Sequence, residues 1–149
     1  MVPEVVASAA DGFEQRGLAA TAASNDGDEL AAAHGTEDDF IALDRNVDRV
    51  EELTRARDMA AKADLNMEFH VLLAEATGNP VLVLLMKTLM DLLRSVHRPV
   101  TAEDTADIIK SRRRFLTLLR SRDASAAAAE MKDHLTLLHQ LFSRPESAQ

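Results

Sequence analysis

The sequence predicts an all-α fold: a single antiparallel bundle of six to seven helices. Apolar residues recur at intervals of three and four, and strand-like alternation is missing. Only five glycines and four prolines interrupt that pattern. A length of 149 residues is one domain, large enough to bury a core. With no Trp or Tyr and five Phe, that core must come from Leu, Val, Ile, Ala and Met.

A first helix is expected over about Val5 to Ala23, broken by Ser24-Asn25-Asp26-Gly27. A short Ala-rich segment, Asp28 to His34, then ends at Gly35. Thr36 with Asp39 three residues on resembles a capping box. Beyond it Phe40, Leu43, Val47 and Val50 mark an amphipathic helix to about Leu53. The next helix, roughly Arg57 to Thr77, buries Leu65, Phe69, Leu72, Leu73 and Ala76. Gly78 is its natural C-cap, and Pro80 pre-sets the first turn that follows. The helix from Val81 to His97 is apolar almost all round, which places it centrally or under a second subunit. We expect both, with a homodimer. Thr101 to Asp104 caps a helix continuing to about Ser121. Asp123 opens the last, to about Phe142, with Met131, Leu135, Leu138 and Leu141 on its buried stripe. The polar tail from Ser143 to Gln149 is expected to be loose.

Composition excludes several functions. Cysteine is absent, so neither disulfides nor thiolate chemistry contributes. A net charge of −8 argues against a grip on nucleic acid through the chain's own surface. The start of the chain lacks the basic residues of a signal peptide. Its longest apolar run, Val81 to Met86, is far too short to cross a bilayer. A cytoplasmic protein without membrane contact is expected.

A few polar residues fall on faces that the apolar pattern turns inward. Asn66 and His70, in Asn66-Met67-Glu68-Phe69-His70, stand one helical turn apart. Such a pair is ordinarily a histidine satisfied by a neighbouring amide. The same spacing also presents two groups to one ligand or metal ion. Arg112-Arg113-Arg114 would usually be a solvated basic patch, yet Arg112, Phe115 and Leu119 share one helical face. A buried guanidinium stays charged and must find an anion or several acceptors. His134 lies between Met131 and Leu135 beside the buried stripe of the last helix. His34, His97 and His139 carry no assigned role.

These residues also carry a family resemblance. Asn66-Met67-Glu68-Phe69-His70 followed by Ala74-Glu75-Ala76-Thr77-Gly78-Asn79-Pro80 resembles the FCD domain, the ligand-sensing domain of FadR-type GntR regulators. Leu118 to Asp123, the Ala-rich stretch after it, and Met131-Lys132-Asp133-His134-Leu135 resemble the ending of that domain. Thr36 to Phe40 with Leu43 is similar to its second-helix opening. The resemblance covers roughly residues 10–142.

The resemblance implies an effector-sensing and dimerising domain of a transcription regulator, not an enzyme. Family members commonly hold a divalent metal with an Asp or Asn and three His, and small organic acids sit beside it. Carried over, those positions are Asn66, His70, Arg112 and His134. Arginine cannot ligate, and its charge against a dication about 4 Å away costs roughly 8 kcal/mol even at an effective dielectric of 20. No tightly bound metal is therefore expected. With Arg112 turned outward, His70, His134 and Asn66 would hold a weak Zn, Ni or Mn ion. Otherwise Arg112 becomes the electropositive centre that grips a small organic acid effector, with Asn66, His70 and His134 completing its hydrogen bonds. Arg16 corresponds to a first-helix arginine that meets the effector in many relatives. The family reads DNA through a winged helix-turn-helix before this domain, which these 149 residues do not contain. Two other readings are a helical adaptor without ligand and a small acid–base enzyme. The second lacks a nucleophile or a converging carboxylate pair.

Overall fold

Helix boundaries follow local capping chemistry. The computed structural model describes residues 25–94 and 102–142. Those residues contain six helices and no strand: α1 Asn25–His34, α2 Glu37–Ala56, α3 Met59–Ala76, α4 Pro80–Arg94, α5 Ala102–Arg120 and α6 Ala124–Phe142. The all-α bundle expected from the sequence is what forms. The helix expected over Val5 to Ala23, with Arg16, lies outside the described residues, as do His97 and the tail from Ser143.

The capping box closes as predicted: the Asp39 amide donates to Thr36 Oγ1 at 3.2 Å, and the Thr36 amide donates to Asp39 Oδ2 at 2.8 Å. Helix α2 runs one turn beyond Leu53. It ends where Arg57 turns left-handed (φ 59°) and the Asp58 amide reaches back to the Leu53 carbonyl. Arg57 therefore closes α2 instead of opening α3, and Asp58 caps α3 by accepting from the Ala61 amide at 3.1 Å. Gly78 (φ +68°) supplies the left-handed turn after α3. Asn79 then caps α4 through the Val81 amide, with Pro80 as the first helical residue. Asp123 caps α6 through the Ala126 amide.

Three expectations need correction. The supposed break at Ser24 to Gly27 is already helical from Asn25. Burial of Ala31 and Ala32 in the core holds α1 down and outweighs the roughly 1 kcal/mol that Gly27 costs inside a helix. The apolar helix α4 is peripheral instead of central: among the described elements it packs against α3 alone. Val81, Leu84 and Leu85 stay exposed, Leu84 at 67% and Leu85 at 54%. Leu65, Leu72 and Leu73, expected in the core, are half-buried, the last two packed against it.

The core joins Phe40, Leu43 and Val47 of α2, Phe69 and Ala76 of α3, Phe115, Leu116 and Leu119 of α5, and Ala127 and Met131 of α6. Burying a side chain of this size contributes about 1.5–3 kcal/mol, so this cluster dominates the fold. Ion pairs clasp α2 to α5 at its edge: Arg113 with Asp48 and Glu51, Arg120 with Glu37 and Asp44. Such exposed pairs add at most about 1 kcal/mol each. Leu138, His139 and Leu141 have side chains outside the described set. No described helix is long and apolar enough to cross a membrane.

Candidate functional site

Three helices bring the predicted polar residues together. Asn66, Phe69 and His70 come from α3, Arg112 from α5 and His134 from α6. Each follows an apolar stripe inward: Arg112 shares its face with buried Phe115 and Leu119, and His134 stands one turn from buried Met131. Arg113 and Arg114 point outward to acidic partners, as expected of a solvated patch.

Arg112 is only 3% exposed. Its Nη1 donates to Asn66 Oδ1 at 3.0 Å, and the guanidinium carbon lies 4.3 Å from the Phe69 ring centroid. Its Nε is buried with no acceptor, and no carboxylate among the described residues forms an ion pair with it. Burial pushes this guanidinium down to about 9. The ring of His70 stands edge-on to Phe69, at 86° with centroids 5.7 Å apart. Burial first, and then the Arg112 charge, push the His70 imidazole down to about 3. His134 is held well below its ordinary range by burial and by the charges of Arg112 and His70. At 1% exposure it has no partner for either ring nitrogen. A neutral imidazole offers one donor and one acceptor, so His134 is unfulfilled on both counts.

A cavity of about 40 Å³ opens beside this cluster, between α1, α3, α4 and α6. It has room for a few water molecules or a ligand of similar bulk. His70, Thr77 and Asp28 are its polar walls; Leu73, Met86 and Met131 are among its apolar ones. Asn66, Arg112 and His134 do not line it, so His70 is the group that cavity and cluster share. A larger groove of about 380 Å³ runs along α3 and α4 past Asp64, Lys87, Asp91 and Arg94. Most of its charges already have partners, Arg94 with Asp64 and Asp91, Lys87 with Glu75, and Glu68 with the Asn46 amide.

Asp28 was not anticipated. It is 4% exposed, its Oδ2 has no partner, and burial raises its carboxyl to about 7. The sequence signal was present: Asp28, Ala31 and Ala32 are spaced three and four apart and share the buried face of α1.

A divalent cation does not fit this arrangement. Among the described residues no three His, Asp or Glu side chains converge as donors. The Arg112 guanidinium lies over the Phe69 ring, and its positive charge acts on both imidazoles. Asn66 turns its oxygen to that guanidinium, where a ligating oxygen would be needed.

Comparison with known proteins gives two findings. The family model described as FCD domain matches residues 28–137. Among solved structures, Streptococcus agalactiae GntR superposes with a TM-score of 0.75 at 21% identity, covering 87% of this chain and 59% of that one. This chain thus spans less than two thirds of the length of that protein, and the likeness concerns the fold. No curated protein matches the chain.

Proposed function

The chain belongs to the FCD domain family, and from that premise we propose that it is the effector-sensing domain of a GntR-type transcription regulator, answering a small organic acid without help from a metal. The observation that carries this reading is Arg112. It is a buried, permanently charged guanidinium with one neutral acceptor and no carboxylate partner among the described residues. Burial of an ion costs several kcal/mol, roughly, unless a counter-charge accompanies it. An incoming carboxylate supplies that charge, and His134 and His70 supply further hydrogen bonds from neutral rings.

The site sits where the helices meet. The cavity shares only His70 of α3 with the cluster, so a ligand that reached Arg112 on α5 and His134 on α6 would have to part these helices and thereby bias their spacing. A ligand that fits one arrangement better shifts the population toward it. The exposed Val81, Leu84 and Leu85 of α4 form the face through which we propose a homodimer, as apolar patches of this kind mark contact surfaces. DNA would be read only by a winged helix-turn-helix outside these residues, in a cytoplasmic regulator. No catalytic step is proposed.

Chelator-treated protein in a thermal-shift panel tests the reading. Short carboxylates raise the melting temperature while Zn, Ni and Mn leave it unchanged. Stabilisation by a metal, reversed by chelator, contradicts the arginine-centred site. Silence toward every acid leaves the bundle as an adaptor.

A further inference from the structure

We infer that the Asp28 carboxylate is a second anchor in the cavity, one that takes an ammonium group, so that the effector is a small amino acid or related amino-bearing acid. This rests on the carboxylate-sensing reading above and narrows it.

Asp28 reaches the cavity from α1, across from the helix that brings His70. At 4% exposure, with Oδ2 unpartnered, its carboxylate has lost most of its water and gained no donor for that oxygen. No nearby described group supplies it a charge. Among the described lining residues there is no Lys or Arg. The Thr77 hydroxyl already donates to the Ala74 carbonyl at 2.6 Å and accepts from the Asn79 amide. The His70 imidazole carries no charge to offer. An isolated buried carboxylate is among the least favourable groups a protein can hold. An ammonium group brings both the missing charge and up to three donors.

The charge layout supports the same conclusion. Arg112 supplies a positive centre beside His70, and Asp28 supplies a negative one on the wall of α1. A zwitterion whose ammonium meets Asp28 would turn its carboxylate toward His70, the group the cavity shares with the Arg112 cluster. A plain carboxylate confined in about 40 Å³ would stand close to Asp28, bring no donor for it, and leave its carboxyl to be neutralised only by taking up a proton. The apolar walls, Leu73, Met86 and Met131, suit a short aliphatic remainder. A metal ion in place of the amine would find, among the described residues, one carboxylate and one imidazole there, too few donors for a stable site.

Matched pairs test this directly: glycine against acetate, L-alanine against propionate, L-aspartate against succinate, by titration calorimetry on the wild-type chain and on Asp28→Asn. Asparagine keeps the shape and removes the charge, and Asp28→Ser serves if that variant fails to fold. The wild type should bind one amino-bearing member at least about tenfold tighter than its partner, the scale of one charge-assisted contact. Asp28→Asn should erase that preference by weakening the amino-bearing member, with the plain acid bound as well as before or better. Equal binding of both members overturns the inference and leaves the carboxylate reading standing, as does a preference that survives Asp28→Asn. Silence toward every member of every pair overturns the carboxylate reading and this inference with it.

Discussion

Replacing Arg112 with methionine removes a buried charge and keeps most of the side-chain volume over the Phe69 ring. Burial pushes the guanidinium from its ordinary, more basic range down to about 9, which corresponds to roughly 5 kcal/mol spent on holding the charge there. Two contacts offset it. The hydrogen bond to Asn66 at 3.0 Å contributes about 2 kcal/mol as a charged donor. The guanidinium over Phe69 at 4.3 Å contributes about 2 kcal/mol more in a dry site. The balance is a small deficit of roughly 1 kcal/mol, so Arg112→Met should leave the ligand-free protein as stable as before or raise its melting temperature by about 2–4 °C. Affinity for carboxylates should fall by about 10- to 100-fold, the loss of one charge-assisted interaction. Scanning calorimetry measures the first quantity and isothermal titration the second. A fall in melting temperature with unchanged carboxylate affinity would refute the reasoning, because Arg112 would then hold the bundle together instead of serving a ligand.

Acid should destabilise the ligand-free protein through the same cluster. The two imidazoles are held below their ordinary 6.5, so each takes up a proton on unfolding as pH falls past that value. Asp28, held up at about 7 against an ordinary 3.8, gives one back. With two protons gained and one lost, stability should drop as pH falls below about 6.5, by roughly 1.4 kcal/mol per pH unit while both imidazoles stay neutral in the folded chain, and Asp28→Asn should steepen that fall in denaturant titrations. Gly35→Ala should cost roughly 1–3 kcal/mol in denaturant unfolding, since a Cβ there meets the Ala31 carbonyl oxygen at 2.6 Å and the Phe40 ring at 2.7 Å. Leu84→Glu should convert the proposed dimer to monomer in sedimentation velocity without unfolding it, because Leu84 is 67% exposed on α4.

The parts of the fold legible in the sequence are those governed by local chemistry. Thr36 with Asp39, Gly78-Asn79-Pro80 and Asp123 mark helix ends because their side chains and backbone angles act within a turn of their own position. Arg112, His134 and His70 were legible as inward-facing because helical periodicity assigns each to an apolar stripe. What pairs across helices was not. Nothing local says that Arg112 lies on Phe69 and donates to Asn66, 46 residues earlier in the chain. The place of α4 was misjudged for a related reason. An apolar helix reads the same whether it is covered by its own chain or presents its surface, and here Val81, Leu84 and Leu85 remain exposed. Asp28 escaped notice because Asn25-Asp26-Gly27 looks like a turn, which hid the helical spacing linking Asp28 to Ala31 and Ala32.

The most direct test of an arginine-centred anion site is calorimetric titration of chelator-treated protein with glycine, L-alanine and their plain acid counterparts, alongside Zn, Ni and Mn. Saturable binding of an acid in the complete absence of metal, lost in Arg112→Met, is the result predicted here. Acid binding that appears only after a metal has been added would contradict it, because the cation would then occupy the place assigned to Arg112.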